Sequence, residues 1–174
     1  MLKLIQDNIT CLQQGKDLIN SMTDDDYTEP NPKLESGSIG AHIRHNLDHY
    51  LCYLRQSPQA QVNYDDRSRE EGIEKDRKVA AEHIDFIIQQ ISELSDTDLD
   101  QKIQVIMDCG SGDPENWCES TPRRELQFLA SHTIHHYAIV KMLCLNRGIK
   151  TTSDFGVAPS TIKAMKSMNL SAGN

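Results

Sequence analysis

The run from Arg123 to Asn146 constrains this chain more than any other stretch. No glycine or proline interrupts it, and Phe128, Leu129, Ile139, Val140 and Leu143 recur at helical spacing. At about 100° per residue these positions share one face with Glu125, His132 and His136. A long helix must therefore bury this face against other elements, with two imidazoles one turn apart inside its apolar stripe. His135 sits roughly 60° round from His132, just off the stripe. Thr121 is the expected N-cap and Pro122 the first helical residue, while Gly148 supplies a left-handed C-terminal cap.

Two histidines four apart on a helix can direct nitrogens at one metal ion, and need one or two further ligands from elsewhere. The plainer alternative is a pair of core histidines hydrogen-bonded to their neighbours. A second histidine cluster upstream favours the metal. Ser38 caps a predicted helix that runs to about Gln56, before Pro58. Its residues Ile43, Leu47, Tyr50, Leu51 and Leu54 form one face; His42, His45, Asp48, His49 and Cys52 lie nearly opposite. Such a row is an ordinary solvent face unless the helix is flanked on both sides. Spacing alone does not choose among His42, His45 and His49 as a third ligand.

The remaining segments complete a bundle. Ile5, Ile9, Leu12, Ile19 and Met22 mark a first helix over about Leu4 to Met22, which Gly15 weakens by about 1 kcal/mol relative to alanine. Thr23 to Ser36, with its acidic run and two prolines, reads as a loop from which Tyr27 tucks back onto the bundle. Gln59 to Glu70 lacks periodicity and reads as a long crossover, with the length of a lid or partner surface. A third long helix is expected from about Gly72 to Leu94 on Ile73, Ala80, Ile84, Ile87, Ile91 and Leu94, with His83 beside the stripe. Ser95 to Asp98 breaks it. Ile103, Val105 and Met107 then alternate with polar residues. With a turn at Gly110 to Pro114 and a return strand at Asn116 to Ser120, they predict a small hairpin, packed on the bundle by Trp117. A last short helix ends near Met168. The expected fold class is all-α, one domain over residues 1–174: a four-helix bundle with a long crossover after the second helix, a small hairpin before the fourth and a short C-terminal helix.

Composition narrows the function. The formal net charge of -8 and the absence of Arg/Lys clusters argue against nucleic acid and anionic membranes. No window approaches the length of an apolar membrane span, and the N-terminus is too polar for a signal peptide. Cys11, Cys52, Cys109, Cys118 and Cys144 make no C-x-x-C pair and read as free thiols in a reducing cytoplasm. Cys109 and Cys118 are also placed to face each other across the hairpin, as a disulfide or metal pair.

The segments Ile43-Arg44-His45-Asn46-Leu47-Asp48-His49 and His132-Thr133-Ile134-His135-His136-Tyr137-Ala138 resemble the DinB/YfiT-like family of metalloenzymes. Helix order and the long crossover fit as well, so the resemblance spans roughly the whole chain. It implies one ligand from the second helix in a His-x-x-Asp context and two from the last bundle helix. Residue by residue these are His45, followed by Asp48, and His132 with His136. Three neutral imidazoles leave the ion an open position, the mark of a catalytic site. A bound water there reaches a pKa near 7, and a bound thiol is activated likewise. The family includes thiol S-transferases that use a low-molecular-weight thiol, and a thiol-dependent isomerase. Zinc and nickel both suit three histidines. Asp48, Glu125 and Tyr137 are candidate acid–base or supporting groups, and His49 and His135 candidate orienting groups; packing or surface roles are the ordinary alternative for each.

Two functions follow as expectations. One is a metal-dependent enzyme, a transferase or hydrolase acting on a small molecule. The other is a non-catalytic, dimeric binding or stress-response module with a structural metal. The resemblance further implies a cytoplasmic homodimer. Imidazoles at their ordinary pKa would lose the ion below about pH 6.5.

Overall fold

The computed structural model describes residues 2–31, 37–110 and 115–171, the side chains of 168–171 excepted. Four long helices carry the fold: α1 (Lys3–Asn20), α3 (Ile39–Gln56), α5 (Arg77–Ser92) and α7 (Pro122–Asn146). Short helices α2 (Asp24–Thr28), α4 (Glu71–Lys75) and α6 (Asp96–Leu99) and the terminal α8 (Pro159–Ser171) complete the helical part. Helix α1 packs on α5 and α7, and α3 lies against α4, α5 and α7. The core between them holds Ile5, Leu12, Ile19, Ile43, Leu47 and Leu129, each almost fully buried. Burying one such side chain stabilises the fold by roughly 1.5–3 kcal/mol.

Local chemistry fixes where the long helices begin and end. Ser38 accepts from the Ala41 N–H and starts α3; Thr121 accepts from the Arg124 N–H and starts α7, with Pro122 in the first turn. At the far end of α7 Gly148 takes φ 71°, and its N–H reaches the Leu145 carbonyl while Ile149 reaches Cys144. Those two bonds form a Schellman motif, which a residue with a Cβ would strain. Gly15 has a different role: a Cβ there would lie 1.9 Å from the Tyr137 hydroxyl. Only glycine lets α1 approach α7 this closely.

Several expectations need correction. The acidic run of Thr23 to Ser36 is not all loop: Thr23 and Asp26 form a capping box that opens α2. Tyr27 does tuck in, donating to the Ile73 carbonyl at 2.6 Å. Pro32 and the rest of that segment lie outside the described residues. The third helix is two, because Asp76 adopts an extended backbone and its side chain accepts from the Lys78 N–H to cap α5. Ser95 to Asp98 does break the third helix, which ends at Ser92, and Asp96–Leu99 then forms a separate turn of helix with a Ser95/Asp98 capping box.

The expected hairpin exists, as β2 (Ile103–Ile106) and β3 (Cys118–Ser120), with Val105 opposite Cys118. It belongs to a larger sheet. The crossover supplies β1 (Gln61–Asn63), parallel to β2, giving the order β1-β2-β3. Val62 is its buried anchor, and three residues carry too little pattern to be read as a strand. Within β2 the buried residues are Ile103 and Ile106, not the alternating set Ile103, Val105 and Met107; Met107 is exposed. Trp117 is also exposed and does not pin the sheet to the bundle. Of the predicted turn only Gly110 lies among the described residues. All five cysteines are free, Cys109 and Cys118 being exposed. No helix among the described residues is long and apolar enough to cross a membrane.

Candidate metal centre

Helix α3 is flanked on both sides, and this brings the histidines together. Its stripe residues Ile43, Leu47 and Tyr50 are buried, and so are Asp48, His49 and Cys52 on the other side. His45 projects from α3, and His132 and His136 project from α7. Each of the three offers one ligand atom, all within 4.8 Å of one another. Ring centroids are 5.2 Å apart for His45 and His132, 4.6 Å for His45 and His136, and 4.5 Å for His132 and His136.

Burial sets the protonation of this cluster. It lowers His45 from its ordinary value to about 4, aided by the charges of Arg67 and Arg44. His132 and His136 fall to about 3, again by burial first and then by the neighbouring imidazoles. All three are therefore neutral at pH 7, with lone pairs to donate. His132 Nε2 is buried and has no hydrogen-bond partner. An unpartnered buried nitrogen costs roughly 1–3 kcal/mol, and a cation accepting its lone pair would remove that cost. Donor type, charge state and this nitrogen all fit a divalent transition ion.

The surroundings sort the other candidates. His49 is buried; its Nδ1 donates to the His45 carbonyl at 2.7 Å, and its ring lies 4.3 Å from that of His132. Burial lowers it to about 4. His135 is exposed, edge-on to His136. Asp48 turns away from the imidazoles: its carboxylate accepts from Arg44 at 2.9 Å and from the Glu70 N–H at 3.3 Å, tying the crossover to α3. Burial raises its pKa. Glu125, also buried, accepts from the Tyr64 hydroxyl at 2.8 Å and from Ser120 at 2.5 Å. Tyr137 is core. Its ring stacks on Phe155 at 4.7 Å, its hydroxyl has no partner, and burial holds its pKa well above the ordinary value. A buried hydroxyl without a partner and a ring stacked on Phe155 support a packing role for Tyr137.

Several residues around the cluster carry no site role in the sequence reading. Tyr64, from the crossover, lies 5.7 Å from His49 and 5.4 Å from Phe128 by ring centroids. Arg67 adds positive charge near His45, His49 and His132. Asn46 and Tyr50 meet the Thr133 hydroxyl at 3.0 and 3.3 Å inside the bundle, and Tyr50 donates onward to Asn8. Asn8 and Asn46, polar residues beside apolar stripes, were the only signal of that network. Tyr64, Phe128 and Glu125 also line a cavity of about 280 Å³, together with Val105 and Cys118 of the sheet. Phe128, which lines this cavity, has its ring 5.6 Å from that of His132.

Fold and cluster together define a helical bundle with a three-histidine centre, compatible with metal binding. Comparison with known proteins gives the family. The chain belongs to the DinB superfamily, whose model matches residues 13–140. It is similar to a DinB-like protein, YjoA, of Bacillus subtilis, with a TM-score of 0.67 over 88% of this chain and 99% of the other. Identity there is 17%, so the likeness is one of fold. It is also 37% identical over 106 residues to FK506-binding protein 5 of Rhizopus delemar, a match covering 60% of this chain but 28% of that protein.

Proposed function

We propose that this protein is a metal-dependent enzyme acting on a small molecule, with one divalent transition ion held by His45, His132 and His136. The observation that carries the reading is the convergence of three neutral imidazoles, one with a buried and unpartnered Nε2. Zinc and nickel suit the donor set. Bound there, the ion supplies Lewis acidity. The chain's own residues do the rest. Burial keeps the imidazoles unprotonated, Phe128 packs beside His132, and the cavity of about 280 Å³ that Phe128 lines receives the organic part of the substrate. That volume lies at the small end of ligand pockets.

The reactions we assign are transfer of a low-molecular-weight thiol or hydrolysis, in keeping with the superfamily. The absence of a fourth histidine, cysteine or carboxylate from the group among the described residues supports an open position over a closed structural site. We extend the proposal to a homodimer in a reducing cytoplasm; the five free cysteines and the exposed Met142 and Leu145 on α7 support it. FK506-binding protein 5 favours a second reading, a helical module within a larger binding protein, because this chain matches only 28% of it.

Metal analysis tests the site, and a turnover assay separates the two readings. Purified protein should carry close to one zinc or nickel per chain. His132→Ala and His136→Ala should lose it while keeping the helical circular-dichroism signal. Thiol-dependent turnover of small electrophiles in the loaded wild type, absent from both variants, supports the enzyme. Full metal occupancy in both variants would sink the site.

A further inference from the structure

His42 has no place in the ligand set, yet its Nδ1 lies 3.0 Å from Nδ1 of His136. The two ring centroids are 5.3 Å apart. That separation accommodates two ring radii and the 3.0 Å gap only if both Nδ1 atoms point along the line between the rings. The contact is therefore a directed hydrogen bond. One ring donates and the other accepts, because two lone pairs at this distance repel.

We propose that His42 is the positioning residue of the centre: its Nδ1 accepts the proton of His136 Nδ1 and so leaves the Nε2 lone pair of His136 for the metal. The inference rests on the three-histidine reading above. In an imidazole the two nitrogens face nearly opposite ways, so a ring that commits Nδ1 to His42 presents Nε2 away from it. His45 and His132 have ring centroids 4.6 and 4.5 Å from that of His136, and the three residues each offer a ligand atom within 4.8 Å of the others. The reverse tautomer would put a proton on His136 Nε2 and block the site. Metal-bound histidines generally donate their second N–H to a fixed acceptor, and removing such a partner typically costs 10–100-fold in metal affinity. His42 lies one turn before His45 on α3, so one helix face supplies both a ligand and the partner that orients another ligand.

Apo protein labelled with ¹⁵N-histidine reads the tautomer directly. His136 should appear as the Nδ1–H form; an Nε2–H signal would overturn the proposal. Zinc competition against a chelator gives the second readout. His42→Leu should weaken binding 10–100-fold. His42→Asn, whose side-chain oxygen can accept where Nδ1 did, should come back to within a few-fold of wild type. A purely structural role would not produce that rescue. Wild-type affinity in His42→Leu, checked for a native circular-dichroism spectrum, overturns the role of His42 and leaves the metal site standing. Wild-type protein that takes up neither zinc nor nickel overturns the metal reading itself, and the role of His42 with it.

Discussion

Gly15 and Tyr137 provide the most direct test of how α1 and α7 meet. Replacing Gly15 by alanine should help a helix by about 1 kcal/mol, since glycine is the costlier residue in a helix interior. The structure opposes that gain. The new Cβ would lie 1.9 Å from the Tyr137 hydroxyl oxygen and 2.7 Å from its Cζ. Tyr137 cannot retreat: it is 1% exposed, and its ring stacks on Phe155 with planes 12° apart. Overpacking a rigid site costs up to about 3 kcal/mol, so the net effect of Gly15→Ala is a loss of about 2 kcal/mol. Tyr137→Phe removes a buried hydroxyl without a partner and should gain about 1 kcal/mol. In that background the nearest ring atom to the new methyl is Cζ, and Gly15→Ala should cost at least about 1 kcal/mol less. Urea unfolding of the four proteins measures the cycle. A higher midpoint for Gly15→Ala, or equal penalties in the two backgrounds, would refute the packing argument.

Other expectations follow from the same chemistry. Free imidazoles with pKa near 6.5 would be mostly protonated at pH 5, and three of them would lower zinc affinity by roughly four orders of magnitude. With values of about 4, 3 and 3 in the folded chain, affinity at pH 5 should stay within about twofold of that at pH 7. Isothermal titration at both pH values decides it, and a hundredfold drop would contradict the buried cluster. The same lowered values make the unfolded chain the better proton acceptor. Stability of the metal-free protein, fully present above about pH 6.5, should therefore decline as pH falls towards 3–4; thermal melts across that range that do not move would contradict it. Asp48→Ala should cost about 2–3 kcal/mol, because it strips the Arg44 guanidinium and the Glu70 N–H of a buried acceptor. Thermal unfolding within 0.5 kcal/mol of wild type, roughly the noise of a surface change, would show that the clamp on the crossover does nothing.

The long helices were legible because each carries its own periodicity and punctuation. Ser38, Thr121 with Pro122, and Gly148 act on their nearest backbone neighbours, so their roles hold whatever the tertiary fold. The same locality made the pairing of His132 and His136 readable, since residues four apart on a helix share a face wherever that helix goes. Short elements were missed for the opposite reason. Strand β1 exists because β2 lies beside it, and three residues have no period of their own. Asp76 divides a continuous apolar stripe because its side chain caps α5, an outcome the stripe does not encode. Membership of the cluster was likewise a tertiary decision. His42, His45 and His49 are equivalent by spacing, and only the crossing of α3 over α7 gives His42 the His136 Nδ1 and brings His45 into the three-histidine group, while His49 bonds the His45 carbonyl within its own helix. Tyr137 shows the same division. It lies next to His136 in the sequence and was a candidate acid–base group, but the missing Cβ of Gly15 on another helix and the ring of Phe155 beyond the end of α7 commit it to packing. Contacts of that kind join residues far apart in the chain, so they come into being only when the helices dock.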